Sequence, residues 1–198
     1  MHPNAAFRTE DRDLMETLIA EIGFGMVFAA TPDGPRVAHT ALVSTGDGAV
    51  QFHLSRGNAL TRHLDGMTAL VVVNGPDAYV SPAWYADRAQ VPTWNYVALE
   101  LEGRVRRMDE SGLIGQLDTL VTQQEERTGE GWSLAEVPAD KLEGLRRGIT
   151  GFDLEVQAWR PTLKLHQNKS AEDRERVAAA LEARGSQALA HLMRTLAG

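Results

Sequence analysis

The corner that follows the predicted strand over residues 50–54 carries three side chains suited to binding an anion. Ser55, Arg56 and Asn58 supply a hydroxyl, a guanidinium and an amide. A short helix is predicted over residues 59–64, so backbone N–H groups and a helix dipole would add to a fixed cation. These are the parts of a phosphate site. The alternative is an ordinary surface corner, in which Arg56 is solvated and Asn58 only caps the helix.

A second group of candidate residues lies near the end of the chain. Only three lysines are present, and two of them, Lys164 and Lys169, bracket His166, Gln167 and Asn168 just before a predicted helix. Cations and amide donors at this density suit an anion or the polar edge of a heterocycle. The alternative is a solvated connector.

Aromatic residues are concentrated between Asn74 and Tyr96, a region that holds all three tyrosines and two of the four tryptophans. Its prolines predict an irregular backbone, because proline lacks a donor and restricts φ. So many rings must fold against something flat, either the core or a planar ligand, and a latch over the core or a subunit interface is the alternative. The stacking faces and polar contacts for a planar ligand would come from Tyr79, Ser81, Trp84, Tyr85, Thr93, Trp94 and Asn95.

Composition and missing motifs exclude several classes of site. The chain has no cysteine, which excludes disulfides, thiolate metal sites and cysteine nucleophiles. The motifs of zinc proteases, serine hydrolases, Walker loops and Rossmann domains do not occur. His39 and His53, on neighbouring predicted strands, are left as a candidate for haem or metal ligation. A net charge of −7 argues against broad binding to nucleic acid backbone.

Hydrophobic periodicity predicts about six strands with hairpin-like spacing and helices at both ends. This pattern favours a mainly β, α+β fold: an antiparallel barrel or strongly bent sheet with peripheral and C-terminal helices. A doubly wound parallel sheet would need a helix after nearly every strand. Strands are predicted over 25–30, 36–43, 50–54, 67–73, 97–105 and from 152 to near 161, and helices over 11–22, 59–64, 138–145, 170–184, from 109 and from 186.

The expected organisation is one main domain over residues 1–162 and a helical extension over 163–198 packed on it. No apolar run of signal-peptide type is present at the N-terminus. No segment approaches the roughly 20 apolar residues of a membrane span, so we expect a cytoplasmic protein.

Four segments, in order along the chain, resemble the PaiB family. They are Gly75 to Tyr85, Val91 to Tyr96, Gly148 to Phe152 and Lys164 to Asn168. PaiB proteins are described as FMN-binding negative transcriptional regulators with a flavin-reductase-like split β-barrel. The likeness covers nearly the whole chain, and its central motif is long and unusual, which makes the resemblance specific.

The resemblance implies a homodimeric FMN-binding split β-barrel, with FMN between subunits. Arg56 and Asn58 match the family segment His-Leu-x-Arg-x-Asn, which with Ser55 would form the phosphate end. The other residues expected to bind the cofactor are Tyr79, Ser81, Trp94, Asn95, Lys164, Gln167 and Asn168.

The function implied by the resemblance is negative regulation of transcription or flavin-dependent redox sensing. The alternatives are a flavin-dependent oxidoreductase and a haem-binding or haem-degrading split-barrel protein, so enzymatic activity is left open. No helix-turn-helix with a basic recognition helix is visible in the sequence. Together with the acidic charge, this disfavours direct contact with DNA.

Overall fold

The computed structural model describes residues 3–197 of the chain. Short 3₁₀ helices occur at Ala5–Phe7, Pro82–Trp84 and Leu134–Glu136. The regular elements are α1 (Arg12–Ile22), β1 (Phe24–Thr31), β2 (Gly34–Ser44), β3 (Ala49–Ser55), β4 (Thr68–Val80), β5 (Thr93–Arg107), α2 (Glu110–Thr128), α3 (Ala139–Arg146), β6 (Ile149–Lys164), α4 (Ala171–Glu182) and α5 (Gln187–Leu196).

Two compact units make up the chain. The barrel unit consists of Asp13–Val73 and Leu101–Trp159, and the terminal unit consists of Met1–Arg12, Asn74–Glu100 and Arg160–Gly198. The predicted division after residue 162 falls within β6 and stays a prediction. No helix in the described part of the chain is long and apolar enough to cross a membrane.

The strands are hydrogen-bonded in the order β1-β2-β3-β6-β5-β4, which closes the sheet into a barrel. Antiparallel pairing joins β1 to β2 and β4, and joins β3 to β2 and β6. The predicted mainly β barrel with added helices is confirmed.

The alternation on β3 builds the core of the barrel unit. Val50, Phe52 and Leu54 are buried, while the polar residues between them are half-buried. Phe52 pairs with Phe152 of β6, and the two rings stack with centroids 5.5 Å apart. Each such side chain contributes about 1.5–3 kcal/mol through burial, which is why the period of two predicted this strand correctly.

Gly103 allows β5 to lie very close to β6. A Cβ atom at this position would lie 2.0 Å from the carbonyl oxygen of Glu155. Burial alternates without a phase shift from Asn95 to Val105, which indicates a continuous strand through Gly103. The glycine therefore serves close packing of two strands rather than a bulge.

The helix predicted over residues 59–64 is wrong. The segment forms successive turns, with hydrogen bonds from Thr61 N to Asn58 O at 3.1 Å and from His63 N to Leu60 O at 2.8 Å. The apolar pair Leu60 and Leu64 is buried as a helical face would be. Six residues are too few to repay helix nucleation without more tertiary support.

β4, β5 and β6 extend furthest beyond their predicted bounds, and the extensions of β4 and β6 pass through proline. β4 continues through Pro76 to Val80, β5 begins at Thr93, and β6 passes through Pro161 to Lys164. The irregular region is therefore shorter than expected, since only residues 81–92 lie outside strands. The tertiary context overrides the local preference of proline, which strands tolerate where no ladder hydrogen bond is lost.

The terminal unit ends in two helices that pack together. Ser170 begins α4 as predicted, because its Oγ accepts a hydrogen bond from the N–H of Asp173 at 3.1 Å. Leu181 on α4 and Leu189 and Met193 on α5 are buried. This apolar stripe matches the helical periodicity of the sequence.

Candidate functional site

The barrel unit contains a cavity of about 330 Å³ lined by the end of β3, the beginning of β6, and residues of β5, α2 and α3. We call it the arginine cleft. Its charged lining consists of four cations and three carboxylates, namely Arg56, Arg107, Arg146, Arg147, Asp109, Glu110 and Glu143. The cleft lies beside the predicted phosphate corner.

Arg56 is held at the edge of the cleft by the first residues of β6. Its backbone N–H donates to Gly148 O at 2.9 Å, and its Nε donates to Ile149 O at 3.3 Å. The side chain is otherwise exposed. The guanidinium is therefore positioned by one hydrogen bond and keeps further N–H donors for a ligand.

The other two residues of the corner, Ser55 and Asn58, form hydrogen bonds within the corner. The Ser55 hydroxyl accepts the N–H of Gly57 at 3.2 Å, and Asn58 Oδ1 accepts the N–H of Leu60 at 2.9 Å. The N–H of Asn58 donates to Ser55 O at 2.9 Å. Three amides of the corner are thus already engaged, and no helix follows. The expected cradle of free N–H groups is wrong, and anion binding here would depend on side chains.

The carboxylates of the arginine cleft are engaged by neighbouring groups. Arg147 forms an ion pair with Glu143 one helical turn earlier and holds the pKa of that carboxyl below its ordinary value. Asp109 caps α2 by accepting the N–H of Gly112 at 2.8 Å, which lowers the pKa of Asp109. Arg146 differs, because its Nε is buried and has no hydrogen-bond partner among residues 3–197. A buried donor without an acceptor is costly, and a ligand oxygen would offset that cost.

The terminal unit contains a second cavity, of about 250 Å³, beside Lys164. We call it the lysine cavity. Two cations and no carboxylate occur among its lining residues, which are Asn4, Phe7, Tyr85, Gln90, Val91, Thr93, Lys164, His166, Asn168 and Lys169. The predicted concentration of cations and amides before α4 therefore does border a cavity.

Tyr85 and His166, which line the lysine cavity, belong to a buried chain of hydrogen bonds that continues to Asn95. The imidazole of His166 contacts Asn95 Oδ1 through Nδ1 at 2.7 Å and the Tyr85 hydroxyl through Nε2 at 2.6 Å. Asn95 Nδ2 donates to Met193 Sδ at 3.3 Å, which orients the amide oxygen towards His166. His166 Nδ1–H is therefore the donor to Asn95, and Tyr85 donates its proton to Nε2.

Burial and neighbouring charges keep this chain uncharged at neutral pH. His166 is 3% exposed, and burial together with Lys169 and Lys164 lowers its pKa from 6.5 to about 4. Burial, with a smaller effect of Asp173, raises the pKa of the Tyr85 hydroxyl. Both groups present fixed dipoles rather than charges.

The lysines of this cavity have neutral partners. Lys164 Nζ donates to Thr93 Oγ1 at 2.6 Å, and Lys169 Nζ donates to Gln90 Oε1 at 2.9 Å. Lys169 Nζ also lies 5.2 Å from the centre of the Tyr85 ring. Burial lowers the pKa of Lys164, because it disfavours the charged ammonium.

The turn between Lys164 and Lys169 is unusual in its backbone. His166 has φ of 68°, a left-handed conformation that is uncommon for a side chain of this size. Gln167 closes the turn by donating from Nε2 to Leu163 O at 2.6 Å and accepting the N–H of Leu165 at 2.8 Å. Gln167 thus has a structural role in the turn, whereas Asn168 lines the cavity.

The remaining predicted aromatic and polar residues lie on β4, β5 and the segment between them. Tyr79 and Trp94 make an edge-to-face contact at 6.2 Å and are 46% and 54% exposed. Trp94 also lines a cavity of about 300 Å³ with Tyr96. Ser81 caps a 3₁₀ helix by accepting the N–H of Ala83 at 3.2 Å. The two rings are therefore available for contact, and Ser81 is engaged in local structure.

The two histidines considered as haem or metal ligands, His39 and His53, lie in different environments. His53 Nδ1 contacts Gln116 Oε1 at 3.0 Å, while His39 is exposed. Among residues 3–197 no group of three or more His, Asp or Glu side chains could hold a metal ion.

Comparisons with known proteins agree with this architecture. A family model described as "Putative FMN-binding domain" matches residues 1–158. "Protease synthase and sporulation protein PAI 2" of Bacillus subtilis is 26% identical over 171 residues, which cover 84% of this chain and 82% of that protein.

Two solved structures share the fold at 18% sequence identity. An FAD and haem binding protein from Mycobacterium smegmatis aligns with a TM-score of 0.63 over 84% of this chain and 77% of its own. The flavocytochrome Anf3 from Azotobacter vinelandii aligns with a TM-score of 0.64 over 87% and 77%. The strand order, these likenesses and the match over residues 1–158 lead to one assignment: the chain belongs to the PaiB-like family of FMN-binding domains.

Proposed function

We propose that this protein binds FMN and that the arginine cleft receives the phosphate. The observation that carries the proposal is the cleft lined by both Arg56 and Arg146, whose Nε is buried without a partner in the described part of the chain. A phosphate would supply acceptor oxygens to both guanidinium groups in charge-assisted hydrogen bonds. Bound FMN supplies one- and two-electron redox chemistry, and the protein contributes binding, orientation and polarity.

Titration of FMN and riboflavin into the wild-type protein and into Arg56→Ala tests the phosphate assignment. We expect Arg56→Ala to weaken FMN binding by ~1.5–3 kcal/mol, because a charge-assisted contact is lost. Riboflavin lacks the phosphate, so its affinity should be the same in both proteins. Arg62→Ala is the matched control, since Arg62 is exposed, pairs with Asp33 and does not line the cleft. Wild-type FMN affinity in Arg56→Ala would refute the assignment.

The contacts predicted between FMN and Tyr79, Ser81, Trp94, Asn95, Lys164, Gln167 and Asn168 belong to the same proposal as expectations. Exposure of Trp94 supports a stacking role, and the alternative for Gln167 is the structural role described above. Trp94→Ala should weaken FMN and riboflavin binding equally, because stacking involves the ring that both molecules share.

We further propose that the protein is a homodimer. Three exposed residues of the terminal unit support this, namely Tyr79, Val91 and Trp94, with Val91 79% exposed. Large apolar and aromatic residues are enriched at subunit interfaces. Light scattering coupled to size-exclusion chromatography should give twice the chain mass, and Val91→Asp should shift the protein towards monomer. A monomeric wild-type protein would contradict the proposal.

The finer role that we propose is flavin-dependent sensing linked to negative regulation of transcription. It is supported by family membership and by the likeness to a sporulation protein of B. subtilis. With a net charge of −7, direct DNA binding is doubtful and a protein intermediary is favoured. Gel-shift assays with oxidised and reduced protein at several salt concentrations should show no retardation. Retardation that weakens steeply with salt would establish direct binding instead.

A further inference from the structure

The lysine cavity concentrates positive charge that no carboxylate among its described lining residues balances. Of the three lysines in the chain, two line this cavity of about 250 Å³. Its neutral lining includes Gln90, Thr93 and Asn168. A protein with a net charge of −7 offers many carboxylates, so their absence from the described lining sets this cavity apart.

The hydrogen-bond partners of the two ammonium groups leave donor capacity unused. Each ammonium carries three N–H donors. Lys164 donates to the Thr93 hydroxyl at 2.6 Å, and Lys169 donates to the Gln90 amide at 2.9 Å. Burial of Lys164 raises the cost of its charge, as the lowered pKa of Lys164 indicates. An anion in the cavity would accept from both groups and offset that cost.

Neighbouring titratable groups cannot replace the anion. His166 is held neutral by its pKa of about 4, and Tyr85 remains protonated. Asp173 acts on both through space, but its Oδ1 accepts the N–H of Ala86 at 2.9 Å, and Asp173 does not line the cavity. The positive potential of the cavity is therefore retained at neutral pH.

The rest of the lining of the lysine cavity offers apolar surface to the carbon skeleton of a small molecule. Phe7, Tyr85 and Val91 contribute ring and aliphatic surface. A cavity with an apolar wall and convergent polar groups is the usual form of a small-molecule site. A bare inorganic ion would satisfy the lysines and leave this apolar wall uncovered.

We propose that the lysine cavity binds a small organic acid, whose carboxylate or phosphate lies between Lys164 and Lys169. The acid is a ligand separate from FMN: this inference rests on the proposed assignment of the flavin phosphate to the arginine cleft, and it replaces the FMN contacts expected of Lys164 and Asn168. The Tyr85–His166–Asn95 chain is the preorganised wall that keeps the cavity polar without adding charge. This inference extends the predicted anion-binding role of Lys164 and Asn168 to a second ligand.

Calorimetric titration of full-length protein with benzoate and with inorganic phosphate tests the proposal, with and without saturating FMN. Benzoate combines a carboxylate with a flat apolar ring, and phosphate is the bare ion. We expect benzoate to bind more tightly than phosphate and to bind equally in the presence of FMN. Lys164→Met and Lys169→Met should each weaken benzoate binding at least 10-fold, because each loses one charged contact.

Matched variants show whether weaker benzoate binding results from loss of the lysine charge or from loss of the folded structure. Lys141→Met is the control, since Lys141 is the remaining lysine and lies exposed on α3, outside the cavity. Lys169→Arg should retain binding within a few-fold, and thermal melting should show that the variants are folded. Absence of benzoate binding to the wild-type protein, or wild-type affinity in the methionine variants, would overturn the proposal.

A last comparison identifies the source of the anion. If Lys164→Met weakens FMN binding but leaves riboflavin binding unchanged, and FMN displaces benzoate, the lysine cavity receives the flavin phosphate. That result would overturn both the separate ligand and the assignment of the phosphate to the arginine cleft. Retained FMN affinity in Lys164→Met with lost benzoate affinity would support the proposal and leave the FMN assignment to be decided by Arg56→Ala.

Discussion

The two cavities differ in how their cations are balanced. In the arginine cleft, four guanidinium groups face three carboxylates, and Arg147 is paired directly with Glu143. In the lysine cavity, two ammonium groups face a hydroxyl and an amide, with a neutral imidazole beside them. The guanidinium groups of the first cavity are permanent cations, while burial in the second lowers the pKa of Lys164 and disfavours its charged form.

This difference separates two ways of binding an anion. Arginine in the cleft stays charged at every accessible pH and offers a planar fork that matches phosphate. Lysine in a partly buried cavity is sensitive to pH and to its neighbours, so its affinity for an anion is adjustable. We therefore propose the arginine cleft for the bound cofactor and the lysine cavity for a ligand that exchanges.

The largest expected effect concerns the wall of the lysine cavity. His166→Leu removes the hydrogen bonds of His166 to the Tyr85 hydroxyl and to Asn95 Oδ1, and it places a leucine at positive φ. We expect a loss of ~3–5 kcal/mol in the free energy of unfolding, measured with urea. His39→Leu, at an exposed position, should cost less than about 0.5 kcal/mol. If His166→Leu lost little unfolding free energy, the chain of hydrogen bonds through His166 would not contribute to stability as expected.

The next effect is the pH dependence of stability that His166 contributes from the lysine cavity. The unfolded chain takes up a proton on His166 near the ordinary pKa of 6.5, whereas the folded protein takes it up only near 4. The contribution of His166 to the free energy of unfolding is therefore fully present above pH 6.5. It is lost as the pH falls towards 4, which lowers the free energy of unfolding by about 3 kcal/mol.

Two variants assign that pH dependence. His166→Asn removes the titrating group and tolerates positive φ, so its unfolding free energy should be nearly flat between pH 6.5 and 4.5 in this respect. Arg56→Ala should keep the wild-type slope. An unchanged slope in His166→Asn would place the titration elsewhere in the chain.

The smallest effect concerns the corner beside the arginine cleft. Asn58→Ala removes the acceptor for the N–H of Leu60, so we expect a loss of ~1 kcal/mol in unfolding free energy, as for other side-chain hydrogen bonds within turns. FMN titration of the same variant separates this local role from a ligand contact. If Asn58 acts only through the hydrogen bond that its Oδ1 accepts from Leu60, the variant should lose stability and keep the FMN affinity of the wild-type protein. A parallel loss of FMN affinity would place Asn58 on the cofactor and make the corner more than an anchor for Arg56.

The barrel fold and the family could both be predicted from patterns of neighbouring residues in the sequence. The alternation of Val50, Phe52 and Leu54 is set by the period of a strand with one buried face, so it is written in neighbouring residues. The Ser170 cap and the hairpin turn between β1 and β2 are equally local. Arg56 and Lys164 could be proposed because each carries a charge beside a turn signal.

Tertiary structure decided what those residues do. Asn95 meets His166 across 71 positions of sequence and Tyr85 meets it across 81, and no spacing rule connects residues so far apart. Packing also carries β4 through Pro76 and turns residues 59–64 into a buried corner, because long-range contacts outweigh local preference. Local chemistry therefore determined the types of groups available for binding, while the folded chain decided which of them are engaged and which still face a cavity.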